Sequence, residues 1–208
     1  MKKKVNLGDI AKVSAGNSAP QEKKLFKKGI YNFVRTYDVG KIKKGILYDS
    51  RDKLNKEGIK KLSIVPKGTI LFPKSGASTF LNHRVMLGID AYVASHLATI
   101  KANNDIVLDK YLFYFLLIID AKKLVADSGY PSLKTETIKS IKLEIPNISE
   151  QRKVVEKLDF IFQEVENTTI DTNKILIEGI MNTRDALLTE IIRDNQIDAF
   201  NQLIQEEQ

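Results

Sequence analysis

The sequence predicts an α+β protein, in which a globular domain of strands and short helices is followed by one long coiled-coil-forming α-helix. Short β-branched and aromatic runs, separated by turns with glycine and proline, fill the first 145 residues. From Val155 to Ile191, apolar or threonine residues recur every three or four positions, which is the period of one helix face. We therefore divide the chain into a globular domain at 1–147, a helix at 148–194 and a tail at 195–208.

The elements of the globular domain are predicted from local composition. Strands are expected at residues 30–34, 46–48, 62–65, 69–72, 85–87, 91–94, 98–101 and 138–145. Residues 5–13 form either a short strand or a helical turn, and residues 53–61 a brief surface helix. The convincing helix of this domain runs over residues 109–127, with Asp109 as its N-cap. Many short strands with few helices are typical of the mixed α+β class.

The start of the long helix is marked by a proline followed by a capping residue. Pro146 favours an extended conformation for the residue before it and so ends the last strand. Ser149 is the predicted N-cap, and Glu150 suits the positive end of the helix dipole. Arg152 stands where a capping box would have glutamate, so the full capping box is absent.

The spacing of apolar residues favours one straight helix from about Glu150 to about Arg193. Such a helix would be roughly 65 Å long, and its apolar face would need a partner helix. Residues 167–173 (NTTIDTN) form helix poorly, and a hairpin that bends there is the alternative.

The charge of the chain is divided between its two parts. Residues 1–145 carry 27 lysines and arginines against 13 aspartates and glutamates, a formal charge of +14, whereas residues 146–208 sum to −7. A strongly basic domain is typical of a protein that binds a polyanion, although lysines that only increase solubility are the alternative. With no cysteine, no long apolar run and no signal peptide, we expect a soluble cytoplasmic protein without a membrane partner.

The common catalytic and cofactor motifs are missing from the sequence. Residues 68–75 (GTILFPKS) resemble a phosphate-binding loop, but Pro73 occupies the second glycine position and offers no N–H. His83 and His96 lack the spacing of a metal site. Ser95 and His96 would point to opposite faces of a strand. We therefore predict a non-enzyme with no cofactor and no metal.

Two loops of the basic domain carry the residue types that contact DNA. Residues 72–84 and 128–137 combine Lys, Arg, Asn, Ser, His and Tyr with small residues, and such side chains reach bases and phosphates. Ordinary polar loops are the alternative interpretation. The predicted DNA contacts, including two from the segment at 29–39, are Arg35, Tyr37, Lys74, Ser75, Ser78, Asn82, His83, Arg84, Tyr130, Ser132 and Lys134.

Several segments together resemble the specificity subunits of type I restriction–modification systems. Residues 5–16 (VNLGDIAKVSAG) are similar to the family's opening Leu-Gly pattern, and residues 29–39 (GIYNFVRTYDV) to its Phe-Val-Arg segment. Residues 68–76 (GTILFPKSG) resemble its strand and glycine loop, and residues 128–133, with the strand after them, its last loop and strand. The most specific match is the helix start at 145–158 (IPNISEQRKVVEKL). The resemblance covers nearly all of the chain.

The resemblance implies a non-catalytic subunit that recognises double-stranded DNA. Such a subunit places an adenine methyltransferase and, in the full complex, the DNA-translocating restriction subunits on a bipartite site. The family commonly has two recognition domains and two helices, whereas this chain has one of each, so a half-subunit that dimerises is implied. We expect an antiparallel homodimer. Its predicted contacts are Val155, Leu158, Phe162, Val165, Leu176, Ile180, Leu187 and Ile191.

Two other functional classes are considered. A free-standing dimeric DNA-binding regulator would use the helix only to dimerise, but no helix-turn-helix signature is present. A nuclease would need a carboxylate cluster with metal spacing, which is also missing from the sequence. Co-purification with a methyltransferase would separate these classes from the specificity subunit.

Overall fold

A computed structural model describes residues 3–125, 132–169, 179 and 181–193 of the chain. The strands are β1 (Lys3–Asn6), β2 (Ala11–Ala15), β3 (Tyr31–Val34), β4 (Lys44–Leu47), β5 (Asp52–Leu54), β6 (Ile70–Pro73), β7 (Arg84–Leu87), β8 (Tyr92–Val93), β9 (Leu97–Ala102) and β10 (Lys142–Ile145). The α-helices are α1 (Leu7–Ile10), α2 (Thr36–Ile42), α3 (Asp109–Leu117), α4 (Thr135–Lys139), α5 (Ile148–Thr169) and α6 (181–193). Short 3₁₀ helices lie at Lys23–Phe26, Ala77–Leu81 and Ala121–Leu124.

Three sheets organise the described part of the globular domain. The central sheet has the order β2-β9-β6-β7-β4, and its neighbours are antiparallel except for the parallel pair β4 and β7. A smaller sheet has the order β5-β3-β8. The first strand, β1, pairs antiparallel with the last, β10, in the register Lys3 opposite Ile145. This pairing brings the start of the described chain to the start of α5.

The largest core packs α3, α5 and α6 with β-strand residues of the central sheet. All seven residues from Tyr111 to Leu117 are buried, so α3 is apolar on every side, as expected for a helix enclosed by other elements. A second core includes Val34, Leu71 and Val85. A third core surrounds Phe33 of the small sheet.

The mixed α+β class is confirmed, while several predicted elements differ. Residues 53–61 are not a helix, because β5 covers residues 52–54 through its pairing with β3, and a turn follows it. Residues 62–65 form no strand beyond a single bridge from Val65 to Ala91. The helices α2 and α4 are not among the predicted elements, and α3 ends at Leu117 rather than at residue 127. These differences arise because long-range pairing and burial override local propensity.

The long helix begins one residue before the predicted cap. Its first residue is Ile148, and the side-chain Oδ1 of Asn147 accepts the Glu150 N–H at 3.0 Å. Asn147 therefore caps the helix in place of Ser149, which is consistent with the equal preference of both residue types for this position.

The expectation of one straight helix to Arg193 is wrong. The guanidinium carbon of Arg184 lies 4.6 Å from the ring centroid of Phe162. In a straight helix these two residues would be separated by roughly 33 Å. Leu188 and Ile192 belong to the same core as Leu158. The segments α5 and α6 therefore pack together within one chain.

Candidate nucleic-acid interface

The structure brings the two predicted DNA-binding loops together in what we call the paired-loop surface, residues 74–78 and 132–134. Ser75 and Ser132 form an antiparallel bridge, and the Leu133 N–H donates to the Lys74 carbonyl at 2.8 Å. The Lys74 N–H in turn donates to the His96 carbonyl at 3.0 Å. Because Leu133 is buried, it anchors the second loop on the domain. Side chains distant in sequence thus share one surface.

The polar groups of the paired-loop surface are arranged around a tight turn. Gly76 has φ 71° and ψ −171°, a conformation that favours glycine. The Ser78 hydroxyl donates to the Ser75 carbonyl at 3.0 Å and closes this turn. Ser132 and Lys134 are exposed, while Lys74, Ser75 and Ser78 are half-buried. The surface therefore offers two ammonium groups beside several hydroxyl groups.

Asn82 and Arg84 of the same region serve the fold. The Asn82 side chain donates to Asp120 Oδ1 at 3.0 Å and accepts the Ala121 N–H at 2.8 Å. Its φ of 52° is left-handed, which asparagine tolerates better than most residues. Asn82 thereby ties the 3₁₀ helix at Ala77–Leu81 to the one that follows α3.

Arg84 is completely buried, so its interpretation as a direct DNA contact is wrong. Its guanidinium carbon lies 3.4 Å from the ring centroid of Phe72, and Nη1 donates to the His83 carbonyl at 2.8 Å. Its Nε has no partner in the described part of the chain. Burial lowers the pKa of Arg84 to about 9, against the opposing effect of Asp120. The physical reason is its place at the start of β7, where all four residues are buried.

His83 lies half-buried beside several cations. Burial is the largest cause that lowers its pKa, followed by the positive charges of Lys43, Arg84 and Lys44. Its imidazole is therefore held toward the neutral form, which can accept a hydrogen bond on one ring nitrogen.

A second basic surface surrounds Arg35, far along the chain from the paired loops. This arginine pocket has a volume of about 570 Å³. Its lining residues are Lys23, Phe26, Lys28, Gly29, Arg35, Arg51, Asp52 and Lys53. Five of these side chains are cationic and one is anionic, so the pocket attracts anions.

Two aspartates position both arginines of this pocket. The buried Asp38 carboxylate accepts the Arg35 N–H at 2.8 Å and the Arg51 N–H at 2.9 Å. The Asp52 carboxylate accepts the Arg35 Nε–H at 2.6 Å and the Arg51 Nε–H at 3.2 Å. Main chain and side chain of both arginines are therefore held by carboxylates that both lie within residues 38–52.

Aromatic rings lie against both guanidinium groups. The guanidinium carbon of Arg35 is 5.0 Å from the Phe33 centroid and 5.8 Å from the Phe26 centroid. The guanidinium carbon of Arg51 is 4.4 Å from the Tyr37 centroid. These distances are within the range of cation–π attraction, so the rings help to hold the arginines in place.

The predicted site residues thus fall into three groups. Arg35 lines the arginine pocket and Tyr37 lies against its Arg51, while Lys74, Ser75, Ser78, Ser132 and Lys134 belong to the paired-loop surface. Asn82, His83 and Arg84 form the third group, and Tyr130 lies outside the described residues. Sequence reasoning missed Arg51, Lys53, Lys23 and Lys28. The charged run at residues 51–53 is the signal that could have indicated them.

Among the described residues of the apolar stripe predicted for dimerisation, most pack inside the chain. Leu158 and Phe162 are buried in the main core, and Val155 and Ile191 pack against it. Leu187 remains 39% exposed. The side chain of Val165 and residues 176 and 180 are outside the described part. Leu158 and Phe162 therefore already pack inside this chain, whereas their role as dimer contacts stays a prediction.

The long helix is joined to the globular domain through a buried amide. The Gln151 side chain is completely buried, donates to the carbonyls of Ile106 at 3.0 Å and Pro146 at 2.9 Å, and accepts the Leu108 N–H at 2.9 Å. Three hydrogen bonds satisfy the buried amide and set the direction in which α5 leaves the domain.

No group of three or more His, Asp or Glu residues suited to a metal ion occurs in the described ranges. Within those same ranges, every helix is too short or too polar to cross a membrane.

Comparison with known proteins gives one consistent family. The family model for the type I restriction modification DNA specificity domain matches residues 2–176. The type I restriction enzyme MjaIX specificity subunit of Methanocaldococcus jannaschii is 28% identical over 192 residues, which are 89% of this chain and 42% of that protein. A putative type I restriction enzyme specificity subunit of Haemophilus influenzae, S.HindORF215P, is 31% identical over 129 residues, 61% of this chain and 32% of that protein.

Solved structures share the fold. The HsdS subunit from Thermoanaerobacter tengcongensis superposes with a TM-score of 0.61 at 16% identity, covering 92% of this chain and 45% of that one. A chain from a type I restriction–modification complex gives a TM-score of 0.65 at 14% identity, again covering 92% of this chain and 45% of that one. The chain thus spans less than half the length of these relatives.

Proposed function

The chain belongs to the family of type I restriction modification DNA specificity domains, and we propose that it acts as a half-length, non-catalytic specificity subunit. In this role it recognises double-stranded DNA and positions an adenine methyltransferase, together with restriction subunits in the full complex, on a bipartite site. The observation that carries the proposal is the paired-loop surface, where two loops distant in sequence meet on a strongly basic domain.

The chemistry of this surface suits the DNA grooves. Lys74 and Lys134 supply positive charge for phosphates, and Ser75, Ser78 and Ser132 supply hydroxyl groups that can donate to or accept from base edges. The bridge between Ser75 and Ser132 sets the spacing of the two loops before DNA binds. Such preorganisation lowers the ordering cost of recognition.

The charge of the domain and the exposed side of the helices bear on the assembly of the subunit. The chain covers 42% to 45% of the length of its relatives. We propose an antiparallel homodimer through the helices, since this arrangement places the two +14 domains at opposite ends, where their repulsion is least. In this structure Phe160 of α5 is 66% exposed and Leu187 of α6 is 39% exposed, so the outward helical surface supplies apolar contacts.

The DNA-binding role is tested with Lys74→Ala and Lys134→Ala, together and singly. We expect the double variant to bind fluorescein-labelled duplex DNA at least several-fold more weakly in anisotropy titrations, because two phosphate-neutralising charges are removed. Lys60→Ala is the matched control, since Lys60 is an exposed lysine outside both basic surfaces and pairs with Glu57. Circular dichroism and thermal unfolding should match the wild type.

Three outcomes would contradict parts of the proposal. Failure of the wild-type chain to bind duplex DNA at low salt, both alone and with methyltransferase subunits, would exclude DNA recognition. DNA binding without any association with a methyltransferase would instead favour the free-standing dimeric regulator. Methyl transfer from S-adenosylmethionine by the pure chain would contradict the non-catalytic role.

A further inference from the structure

The arginine pocket has donors left over after its internal bonds are made. Asp52 occupies the Nε–H groups of Arg35 and Arg51, and the terminal Nη groups of both arginines have no hydrogen-bond partner in the described part of the chain. A guanidinium held through Nε keeps its two Nη atoms available for a bidentate contact. The pocket therefore contains two oriented guanidinium groups whose Nη–H donors have no acceptor in the described part of the chain.

Two of the three lysines of the pocket add positive charge that no described carboxylate pairs with. Lys23 and Lys28 are exposed and form no ion pair with any described residue. Lys53 pairs with Asp49, whose side chain is 70% exposed. The one carboxylate in the lining, Asp52, leaves the pocket with a net positive charge. Such a concave basic site suits an anion with several oxygen atoms.

We propose that the arginine pocket holds a backbone phosphate of the bound DNA, as an anchor separate from the paired-loop surface. This inference rests on the proposed function, because it assigns a second contact point for the same duplex. The Nη atoms of Arg35 and Arg51 donate to the phosphate oxygens, and Lys23, Lys28 and Lys53 supply the surrounding field. Asp52 is a positioning residue that aims the two guanidinium groups.

The aromatic rings favour a phosphate over an unstacked base. A base that entered the pocket would need an open aromatic face for stacking. Arg35 lies over Phe33 and Phe26, and Arg51 lies over Tyr37. Phe33 is fully buried, and Phe26 and Tyr37 each already carry a cation on one face, whereas a phosphate binds these cations where they are.

The test uses a double variant of the chain that carries both Lys28→Gln and Arg51→Gln. Lys60→Gln is the control. Arg51 and Lys28 are exposed, so neither change removes a core contact. The probe is fluorescein-labelled short duplex DNA of random sequence, titrated at several salt concentrations. We expect the double variant to bind this DNA several-fold more weakly than the wild type does. The slope of log affinity against log salt should become shallower by about 0.9 for each phosphate that the variant no longer neutralises.

A sequence-selection experiment separates a phosphate anchor from base reading. Wild type and the double variant each select from a random duplex pool, and the selected sequences are compared. An unchanged preference with uniformly weaker binding supports the phosphate anchor. A changed preference would overturn it, because the pocket would then be reading bases.

Asp52→Asn distinguishes a built phosphate site from diffuse positive charge. The substitution removes a negative charge, so a diffuse field predicts tighter DNA binding. If Asp52 aims the two guanidinium groups, the substitution instead weakens their Nε bonds, misaligns Arg35 and Arg51 and weakens DNA binding. Tighter binding by Asp52→Asn would therefore overturn the proposal.

Failure of the phosphate anchor and failure of the proposed function give different results. If wild type binds DNA and the Lys74→Ala, Lys134→Ala variant binds weakly, the proposed function stands. Unchanged affinity and salt slope in the Lys28→Gln, Arg51→Gln variant would then exclude the pocket alone. If wild type binds no duplex, both proposals fail together.

Discussion

Arg35 and Arg84 both lie against phenylalanine rings, at 5.0 Å from Phe33 and 3.4 Å from Phe72, yet only Arg35 reaches solvent. Arg35 follows a strand of the small sheet and retains Nη donors at the rim of a pocket. Arg84 begins a strand in the interior of the central sheet, with β6 on one side and β4 on the other. Residue type therefore identifies a polar candidate, whereas the position of its strand determines whether a ligand can reach it.

The polar side chains around these two arginines also differ in what they hold in place. In the arginine pocket, Asp38 accepts the main-chain N–H groups of Arg35 and Arg51, and Asp52 accepts their Nε–H groups, so that the Nη groups remain available to a ligand. Around Arg84, Asn82 and Asp120 bond to each other and hold two 3₁₀ helices together. Variants in residues 82–84 should therefore change stability, and variants in the pocket should change DNA affinity.

The largest expected effect comes from truncating Arg84. Arg84→Ala removes the packing on Phe72 and leaves a cavity, so the free energy of unfolding should fall by about 2–4 kcal/mol. Arg84→Met keeps most of the volume and removes a buried, incompletely bonded charge, so it should be close to wild type in stability. Chemical denaturation measures the unfolding free energy of both variants. The DNA affinity of the folded protein should be unchanged in each.

Two results would contradict this account, in which Arg84 stabilises the fold through its packing and does not contact DNA. Equal destabilisation by Arg84→Ala and Arg84→Met would mean that the guanidinium charge itself stabilises the fold. Weaker DNA binding by a fully folded Arg84→Met protein would mean that Arg84 becomes accessible when DNA binds, as Arg35 already is.

Asn82→Ala should have an intermediate effect. It removes the bonds to Asp120 and to the Ala121 N–H, and it places alanine at φ 52°, so the unfolding free energy should fall by about 1–3 kcal/mol. Asn82→Gly removes the same bonds but accepts the left-handed backbone, so it should be more stable than the alanine variant by up to about 1 kcal/mol. Glycine and alanine variants of equal stability in denaturant titrations would show that the backbone conformation contributes nothing.

The smallest expected effect concerns the pH dependence of His83. Burial and the nearby cations lower the pKa of His83 from its ordinary value of 6.5, so below pH 6.5 the unfolded chain binds the proton more readily than the folded one. Its contribution to the unfolding free energy is therefore constant above pH 6.5 and decreases as pH falls through 6.5 toward the lowered value.

His83→Gln isolates this contribution. Unfolding free energies of wild type and variant, measured by denaturant titration on both sides of pH 6.5, should differ in their pH slopes, with the shallower loss toward acid in the variant. Identical slopes would show that His83 titrates alike in the folded and unfolded chains. Such a result would mean that neither burial nor the nearby cations perturb His83, in contrast to the buried Arg84 beside it.

Sequence reasoning located the start of the long helix and the family better than it located individual contacts. The motifs at residues 5–16, 29–39 and 145–158 indicate a family that the match over residues 2–176 confirms. The predicted helix start agrees within two residues, because Pro146 and the polar residues after it are local signals. Gln151 lies within one of these motifs, but its three bonds to the domain have no counterpart in the predictions.

In the candidate site, the sequence likewise indicated the loops but not the contacts between distant residues. Composition alone selects the two polar loops, and the structure joins them through Ser75 and Ser132. Arg51 could not be predicted as a site residue. Its position beside Arg35 depends on the antiparallel pairing of β3 with β5 and on the shared carboxylate of Asp38. Long-range pairing of this kind leaves no periodic signal in the sequence.

Local composition, spacing and motifs were sufficient to predict the mixed class, the basic domain, the acidic helical region, the start of α5 and the family. They could not show that Arg84 points inward, that Arg35 and Arg51 share a pocket, or that Arg184 returns to Phe162. Burial and side-chain contact depend on which distant segments pack together. A helical period, in particular, is equally satisfied by a partner chain or by a second helix of the same chain, so the return of α6 onto α5 could be seen only in three dimensions.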